Sequence, residues 1–255
     1  MIMAALFTSC SDEVLPDADG GKEEALQISV TVAGFKSNNP ATRSTDVGYT
    51  TTFTAGDSIG ITVIGGGATI DNVPYKYDGS AWIPAPDTIF CPSGTSLTWL
   101  VYYPYSVTMN GKTTEAAIKA AFTPKNDQST LADYAASDLM TGQGTLSGLE
   151  LNVTLTHALS LVEINLLPMS ASPALSINSD PALSPYHYSG TLYRCIVKPE
   201  VNATIDGMYS IGGEMFVWQK TNLNLNAGEY TKLSVVESLY AGSVSKKKNS
   251  KEQRL

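Results

Sequence analysis

The sequence predicts an all-β protein built from β-sandwich domains. Polar and apolar residues alternate with a period of two along several runs, most clearly at residues 26–32, and this period marks strands with one buried face. Glycine-containing turn signals separate the runs, and strands at this spacing are typical of sandwiches. A proline- and serine-rich stretch at residues 167–188 predicts a junction between two domains.

We therefore expect a first domain at residues 26–167 and a second, shorter one at residues 168–240. Alternating or apolar runs predict strands at residues 26–32, 59–63, 149–155, 159–167, 214–219, 223–225 and 230–236. Turn signals occur at Gly65-Gly66-Gly67, Asp78-Gly79, Asn110-Gly111, Asp206-Gly207 and Gly212-Gly213. These signals also predict a hairpin at residues 75–82, with aromatic residues on both arms.

Short helices are expected in the loops between strands. Residues 113–121 are rich in alanine, and Thr114 is placed to cap the first turn of a helix there. Residues 131–138 predict a second short helical turn.

The N-terminal residues predict export and lipid anchoring. Residues 1–9 form a short apolar run that ends before Cys10, and residues 6–10, LFTSC, resemble the lipobox of bacterial lipoproteins. We expect Cys10 to carry lipid that holds the protein on the outer membrane. Residues 1–10 are then the remnant of a signal peptide, and residues 11–25 an acidic tether.

The charge distribution excludes nucleic acid as a partner. The net charge is −8 and the predicted pI is about 4.7, whereas binding to phosphate requires a basic face. Basic residues concentrate near the C-terminus, and we expect residues 241–255 to form a solvated tail.

No motif in the sequence predicts catalysis, and no cofactor or metal is expected. The chain lacks both the GxSxG elbow of hydrolases and the HExxH pair of zinc proteases. His157 and His187 are the only histidines. We interpret His157 as a structural residue at the end of a strand.

A cluster of aromatic residues leaves two interpretations open. Exposed rings would stack on sugars, as in glycan-binding surface lipoproteins, whereas buried rings would pair across strands in the core. The candidate stacking residues are Tyr75, Tyr77, Trp82 and Tyr103. Their exposure in the folded protein decides between the two interpretations.

Six motifs, in order along the chain, resemble those of one family, the Bacteroidales fimbrillin-like proteins. They are FTAGDSIGI at residues 53–61, YKYDGSAW at 75–82, LVYYPY at 100–105, SDLMTG at 137–142, LTHALS at 155–160 and LNAGEY at 225–230. The resemblance covers roughly residues 26–236. It implies two transthyretin-like β-sandwich domains.

The same resemblance implies a function. Members are major or minor subunits of cell-surface fimbriae, exported as lipoproteins, and they act in cell adhesion with other fimbrial subunits as partners. In the stalk members an arginine-specific protease removes the first strand, and a neighbour's strand fills the groove. Arg43 and Ser44, in a polar loop after residues 26–32, would form such a cleavage site. The alternative is a monomeric surface lipoprotein that binds a glycan or a host protein.

Overall fold

The computed structural model describes residues 25–38, 48–65, 68–90, 97–167, 171–177, 182–211 and 214–236. The strands within these ranges are β1 Gln27–Ala33, β2 Lys36–Ser37, β3 Ser58–Gly65, β4 Ala68–Tyr77, β5 Trp82–Pro84, β6 Leu97–Tyr103, β7 Met140–Ser147, β8 Glu150–His157, β9 Ser160–Leu167, β10 Ala171–Ile177, β11 Tyr186–Ser189, β12 Leu192–Val197, β13 Glu200–Ile211, β14 Glu214–Leu225 and β15 Glu229–Val236. The helices are α1 Glu115–Ala121 and α2 Leu131–Ala136, with a 3₁₀ turn at Val107–Met109. The prediction of an all-β protein with short helices is confirmed.

Both predicted helices form, and each begins at a threonine cap. Thr114 accepts a hydrogen bond from the backbone N–H of Ala117 at 3.2 Å, and Thr130 accepts one from Asp133 at 3.1 Å. These bonds satisfy amide groups that a helix leaves open at its start. In the described residues, no helix is both long and apolar enough to cross a membrane.

Seven strands form the first sheet, in the order β1-β8-β7-β6-β3-β4-β5. Its pairs are antiparallel except that of β1 and β8, which is parallel. The sheet curls until β1 at one edge approaches β5 at the other. Alternate side chains point into the enclosed core, including Ile59, Ile61, Leu151 and Leu155, all fully buried.

Two further sheets pack face to face around a second core. One has the strand order β11-β12-β9-β15-β2 and the other β10-β13-β14. Their shared core contains Val162 and Ile164 of β9, Cys195 of β12 and Ile205 of β13.

The sheets divide at a different point from the predicted domain boundary. β9 was expected in the first domain, but it pairs with β12 and β15 in the five-stranded sheet. The first sheet therefore ends with β8, at His157. The stretch at 167–188 also contains strands β10 and β11 rather than only loop. Pro173 fits within β10 because β10 is an edge strand, where a missing N–H costs no ladder hydrogen bond.

The turn expected at Asp206-Gly207 is wrong. Both residues lie within β13, opposite Gln219 and Trp218 of β14. A Cβ at Gly207 would lie only 2.0 Å from Cε2 of Trp218. Glycine is therefore required here to admit the indole ring, and not to turn the chain. The expected pair Gly212-Gly213 lies outside the described residues.

A third apolar cluster joins the first sheet to the five-stranded sheet. It combines Tyr102 of β6 and Ile118 of α1 with Leu161 of β9 and Tyr230 of β15. Phe35 and Tyr49, which lie on either side of residues 39–47 in the sequence, are also buried in this cluster.

We predict that Cys195 does not react with thiol reagents in the folded protein. Burial raises the pKa of its thiol to about 12, so at pH 8 the reactive thiolate is on the order of one part in ten thousand. A variant with serine at positions 10 and 91 isolates this thiol for labelling with a coloured disulfide reagent. Labelling should require denaturant, and rapid labelling without denaturant would contradict the buried position.

Candidate functional site

The most distinctive surface feature is an edge segment, residues 25–38, that contributes a strand to each of two sheets. Its first part, β1, pairs in parallel with β8 from Gln27 opposite Glu150 to Ala33 opposite Thr156. Ahead of this ladder, the N–H of Gln27 donates to the carbonyl of Leu149 at 2.9 Å. No other described strand pairs with β1, so β1 is held along one side only.

The inner face of β1 fills a groove over the first core. Leu26, just ahead of β1, is buried, while Ile28, Val30 and Val32 are partly buried against the same cluster. On the outer face, Oγ1 of Thr31 lies 2.9 Å from Oγ1 of Thr154. Full burial of an apolar side chain contributes about 1.5–3 kcal/mol, and each partly buried side chain of β1 contributes a part of this.

The second part of the edge segment crosses to the five-stranded sheet. Lys36 donates its N–H to the carbonyl of Gly228 at 2.9 Å, and β2 pairs in parallel with Glu229 and Tyr230. The side-chain amide of Asn38 donates to Oγ1 of Thr231 at 2.7 Å. One continuous segment thus closes an edge of both sheets.

Between β1 and β2 the edge segment is anchored by Phe35. Its ring stacks on His157 with a centroid separation of 3.6 Å. His157 Nδ1 lies 2.8 Å from Oδ1 of Asp138, and Thr51 donates to the other carboxylate oxygen at 3.3 Å. The imidazole thus forms part of the surface on which the Phe35 ring packs, as expected of a structural histidine.

A buried ion pair holds the chain at Gly48, where the described structure resumes after residues 39–47. Arg194 approaches Glu163 through two nitrogens, with Nε donating at 2.9 Å and Nη2 at 2.8 Å from Oε2. Nη1 of Arg194 donates to the carbonyl of Gly48 at 2.8 Å. The hydroxyl of Tyr49 donates to Oε1 of Glu163 at 2.7 Å. Burial and the neighbouring carboxylate of Glu163 raise the pKa of Tyr49 above its ordinary value.

The predicted cleavage and lipidation residues lie outside the described residues. Cys10 precedes the edge segment, while Arg43 and Ser44 belong to residues 39–47, which connect Asn38 to Gly48. Both ends of that connection are held by the hydrogen bonds given above.

The structure places the candidate stacking aromatics in or against the first core. Tyr75, Trp82 and Tyr103 are 0%, 7% and 5% exposed, and Tyr77 is partly buried beside them. Phe53 makes edge contacts with Trp82 and Tyr103, at centroid separations of 5.0 and 5.3 Å. These rings therefore offer no shared platform for a sugar, and their burial favours the interpretation as cross-strand core pairs.

Sequence reasoning missed the ion pair of Glu163 and Arg194. Each residue is a single charge inside an apolar run, at residues 159–167 and 192–197 respectively. An isolated charge in a central strand requires a partner when it is buried. That signal was present in the sequence, but the pairing depends on the antiparallel register in which Arg194 lies opposite Glu163.

Comparison with known proteins identifies the class of protein. A family model described as fimbrillin-like matches residues 42–204, which is more than half of the chain. The chain therefore belongs to the fimbrillin-like family, and the resemblance in the sequence motifs is confirmed.

A curated relative is a candidate fimbrium tip subunit from Bacteroides ovatus. It is 34% identical over 176 residues, and the match covers 63% of this chain and 32% of the relative. A crystal structure of a fimbrial protein from Bacteroides ovatus superposes with a TM-score of 0.63 at 26% identity, covering 84% of this chain and 49% of that one. This chain thus spans about a third of the curated relative and about half of that structure.

A second crystal structure shares the fold over most of its length. It is a candidate cell adhesion protein from Bacteroides ovatus, with a TM-score of 0.58 at 14% identity. The match covers 84% of this chain and 92% of that one.

We predict that Glu163→Gln lowers the free energy of unfolding by about 3–5 kcal/mol, because it leaves the buried guanidinium of Arg194 without a counter-charge. Denaturant titration followed by circular dichroism measures this loss. Lys119→Met is the matched control, since it removes an exposed ion pair with Glu115 on α1 that contributes only about 0.3–0.5 kcal/mol. Equal effects of the two substitutions would contradict the assignment.

Proposed function

We propose that this protein is a structural and adhesive subunit of a cell-surface fimbria, exported as a lipoprotein and assembled by exchange of β-strands. Membership of the fimbrillin-like family supports the class. The observation that carries the mechanism is the edge segment, which completes two sheets yet belongs to a single stretch of chain that precedes Arg43.

Cleavage after Arg43 would convert the edge segment into a separate peptide. The lipid on Cys10, the acidic tether, β1 and β2 all precede this bond. The next described residue after Arg43, Gly48, is hydrogen-bonded to Arg194 of β12. The body of the protein would therefore keep its new N-terminal end in place while the edge segment departs.

Departure of β1 would expose the backbone of β8 and the apolar groove beside it. Hydrogen bonds and side-chain burial hold β1 in place even without a covalent link, so the cut alone does not empty the groove. A competing strand from a neighbouring subunit replaces β1 and restores both the ladder and the buried apolar face. This is β-augmentation, in which backbone hydrogen bonds supply affinity and alternate side chains supply specificity.

We also propose that the described sheets form two transthyretin-like β-sandwich domains. The curled seven-stranded sheet would form the first, and the facing five- and three-stranded sheets the second. The shared core of the two smaller sheets supports this division.

The partners follow from this function: other fimbrial subunits through the groove, the outer membrane through the lipid, and a host or glycan receptor at the surface. A role at the fimbrial tip is supported by the curated relative. The alternative, a monomeric glycan-binding lipoprotein, gains no support from the buried aromatic rings.

Limited digestion with an arginine-specific protease tests this proposal. The sequence contains only three arginines, at positions 43, 194 and 254, and Arg194 is only 6% exposed. We predict a cut after Arg43, detected by intact mass, followed by ladders that resist mild denaturing detergent. Arg43→Gln should remain intact at this position and monomeric.

Two results would overturn strand exchange. One is a protein that resists the protease at Arg43, and the other is a cut protein that stays monomeric at high concentration. Either result would favour the alternative, a monomeric surface lipoprotein.

A further inference from the structure

We propose that the three-stranded sheet carries a second strand-docking site, which accepts an extended peptide with an apolar and a basic side chain two residues apart. This site is formed by β10, β13 and β14 and does not include β8 or the edge segment. It is therefore additional to the exchange groove and does not depend on cleavage at Arg43.

The first observation is an open sheet edge at β14. This strand is twelve residues long and pairs with β13 along one side, while no described strand pairs with its other side. Natural proteins protect such edges with lysines and irregular backbone. Here those features are confined to one half of the strand, at Lys220 and at Asn222, whose φ is +58°. In the other half Val217 is 81% exposed.

The second observation is the pattern of side chains on the outer face of this sheet. The strand registers align Met208 of β13 with Ala174 of β10 on one side and with Val217 of β14 on the other, which gives an apolar row. Two residues away, Asp206 is likewise opposite Ser176 and Gln219, which gives a polar row.

These two rows line a groove together with Ala182 and with the residues between the rows, Leu175, Gly207 and Trp218. Its volume is about 520 Å³, within the range of roughly 300–1,000 Å³ typical of binding pockets. The residues that alternate with them face the other way, since Leu175 is part of the second core and Trp218 packs against it. The groove therefore lies on the outer face. Its floor is β-sheet, and the open edge of β14 borders it.

The spacing of the rows identifies the occupant as a strand. Alternate residues of a strand point to the same side. A strand that pairs with the open edge of β14 and places an apolar residue beside Val217 therefore places the next residue but one beside Gln219, from where a long basic side chain can extend toward Asp206 on β13. The open edge of β14 supplies backbone hydrogen bonds to the same strand.

Charge selects the side chain over the polar row. The carboxylate of Asp206 accepts a hydrogen bond from the amide of Gln219 at 2.7 Å, and no cationic side chain among the described residues forms an ion pair with it. A lysine or arginine on the incoming strand complements this carboxylate. A second copy of the chain is a poorer occupant, because each copy carries a net charge of −8.

A synthetic peptide tests the site in the intact, uncut chain. The probe is an eight-residue, end-capped, fluorescent peptide in which threonine alternates with valine and lysine, so that one face carries valine and lysine two residues apart. We expect saturable binding by fluorescence anisotropy. Val217→Asp should weaken binding at least tenfold, since it places a second carboxylate in the apolar row. Val107→Asp is the matched control, an exposed valine outside this sheet, and should leave binding unchanged.

Two altered peptides separate the sources of affinity. Methylation of alternate backbone nitrogens should abolish binding if the strand pairs with β14, and glutamate in place of lysine should weaken it at least tenfold. Absence of saturable binding, or equal binding by Val217→Asp and the unaltered protein, would overturn the proposal. Self-association that is lost in Val217→Asp would also overturn it, because the occupant would then be a second copy.

Discussion

The parallel ladder between β1 and β8 closes an edge of the first sheet, and the chain that forms it continues directly into β2 of the five-stranded sheet. Backbone groups at a sheet edge need partners, and apolar side chains beneath it need cover. Here both needs are met by residues 25–38, whose ring at Phe35 also enters the apolar cluster that joins the sheets. Any process that removes this segment must replace its hydrogen bonds and its buried surface together.

The ion pair of Glu163 and Arg194 holds the chain on the other side of Arg43, at Gly48. Arg194 holds the carbonyl of Gly48, and Tyr49 packs on Tyr230 with ring centroids 3.9 Å apart. After residues 39–47 the chain thus has its own contacts with β12 and β15, in addition to the hydrogen bond that the N–H of Phe35 donates to the carbonyl of Tyr49 at 2.9 Å. In the proposed strand replacement, these contacts would hold the body of the protein while β1 leaves the first sheet.

Much of this fold follows from local sequence. The period of two at 26–32 and 149–155 identified the strands that became β1 and β8, and Thr114 marked the start of α1. Sequence patterns failed where the determining contact was distant. Asp206-Gly207 has the composition of a turn, but Gly207 lies within β13. Its missing side chain leaves room for the indole of Trp218 on β14. The parallel pairing of β1 with β8 also joins residues more than a hundred positions apart, which alternation alone does not specify.

The most direct test of strand replacement is to lock β1 in place. Thr31 and Thr154 lie opposite each other on the outer face with 2.9 Å between their hydroxyl oxygens, close enough for a disulfide after Thr31→Cys and Thr154→Cys. After cleavage at Arg43, the oxidised protein should remain monomeric and the reduced protein should form detergent-resistant ladders. If the locked protein assembles as readily as the reduced one, β1 does not leave, and assembly proceeds by another surface.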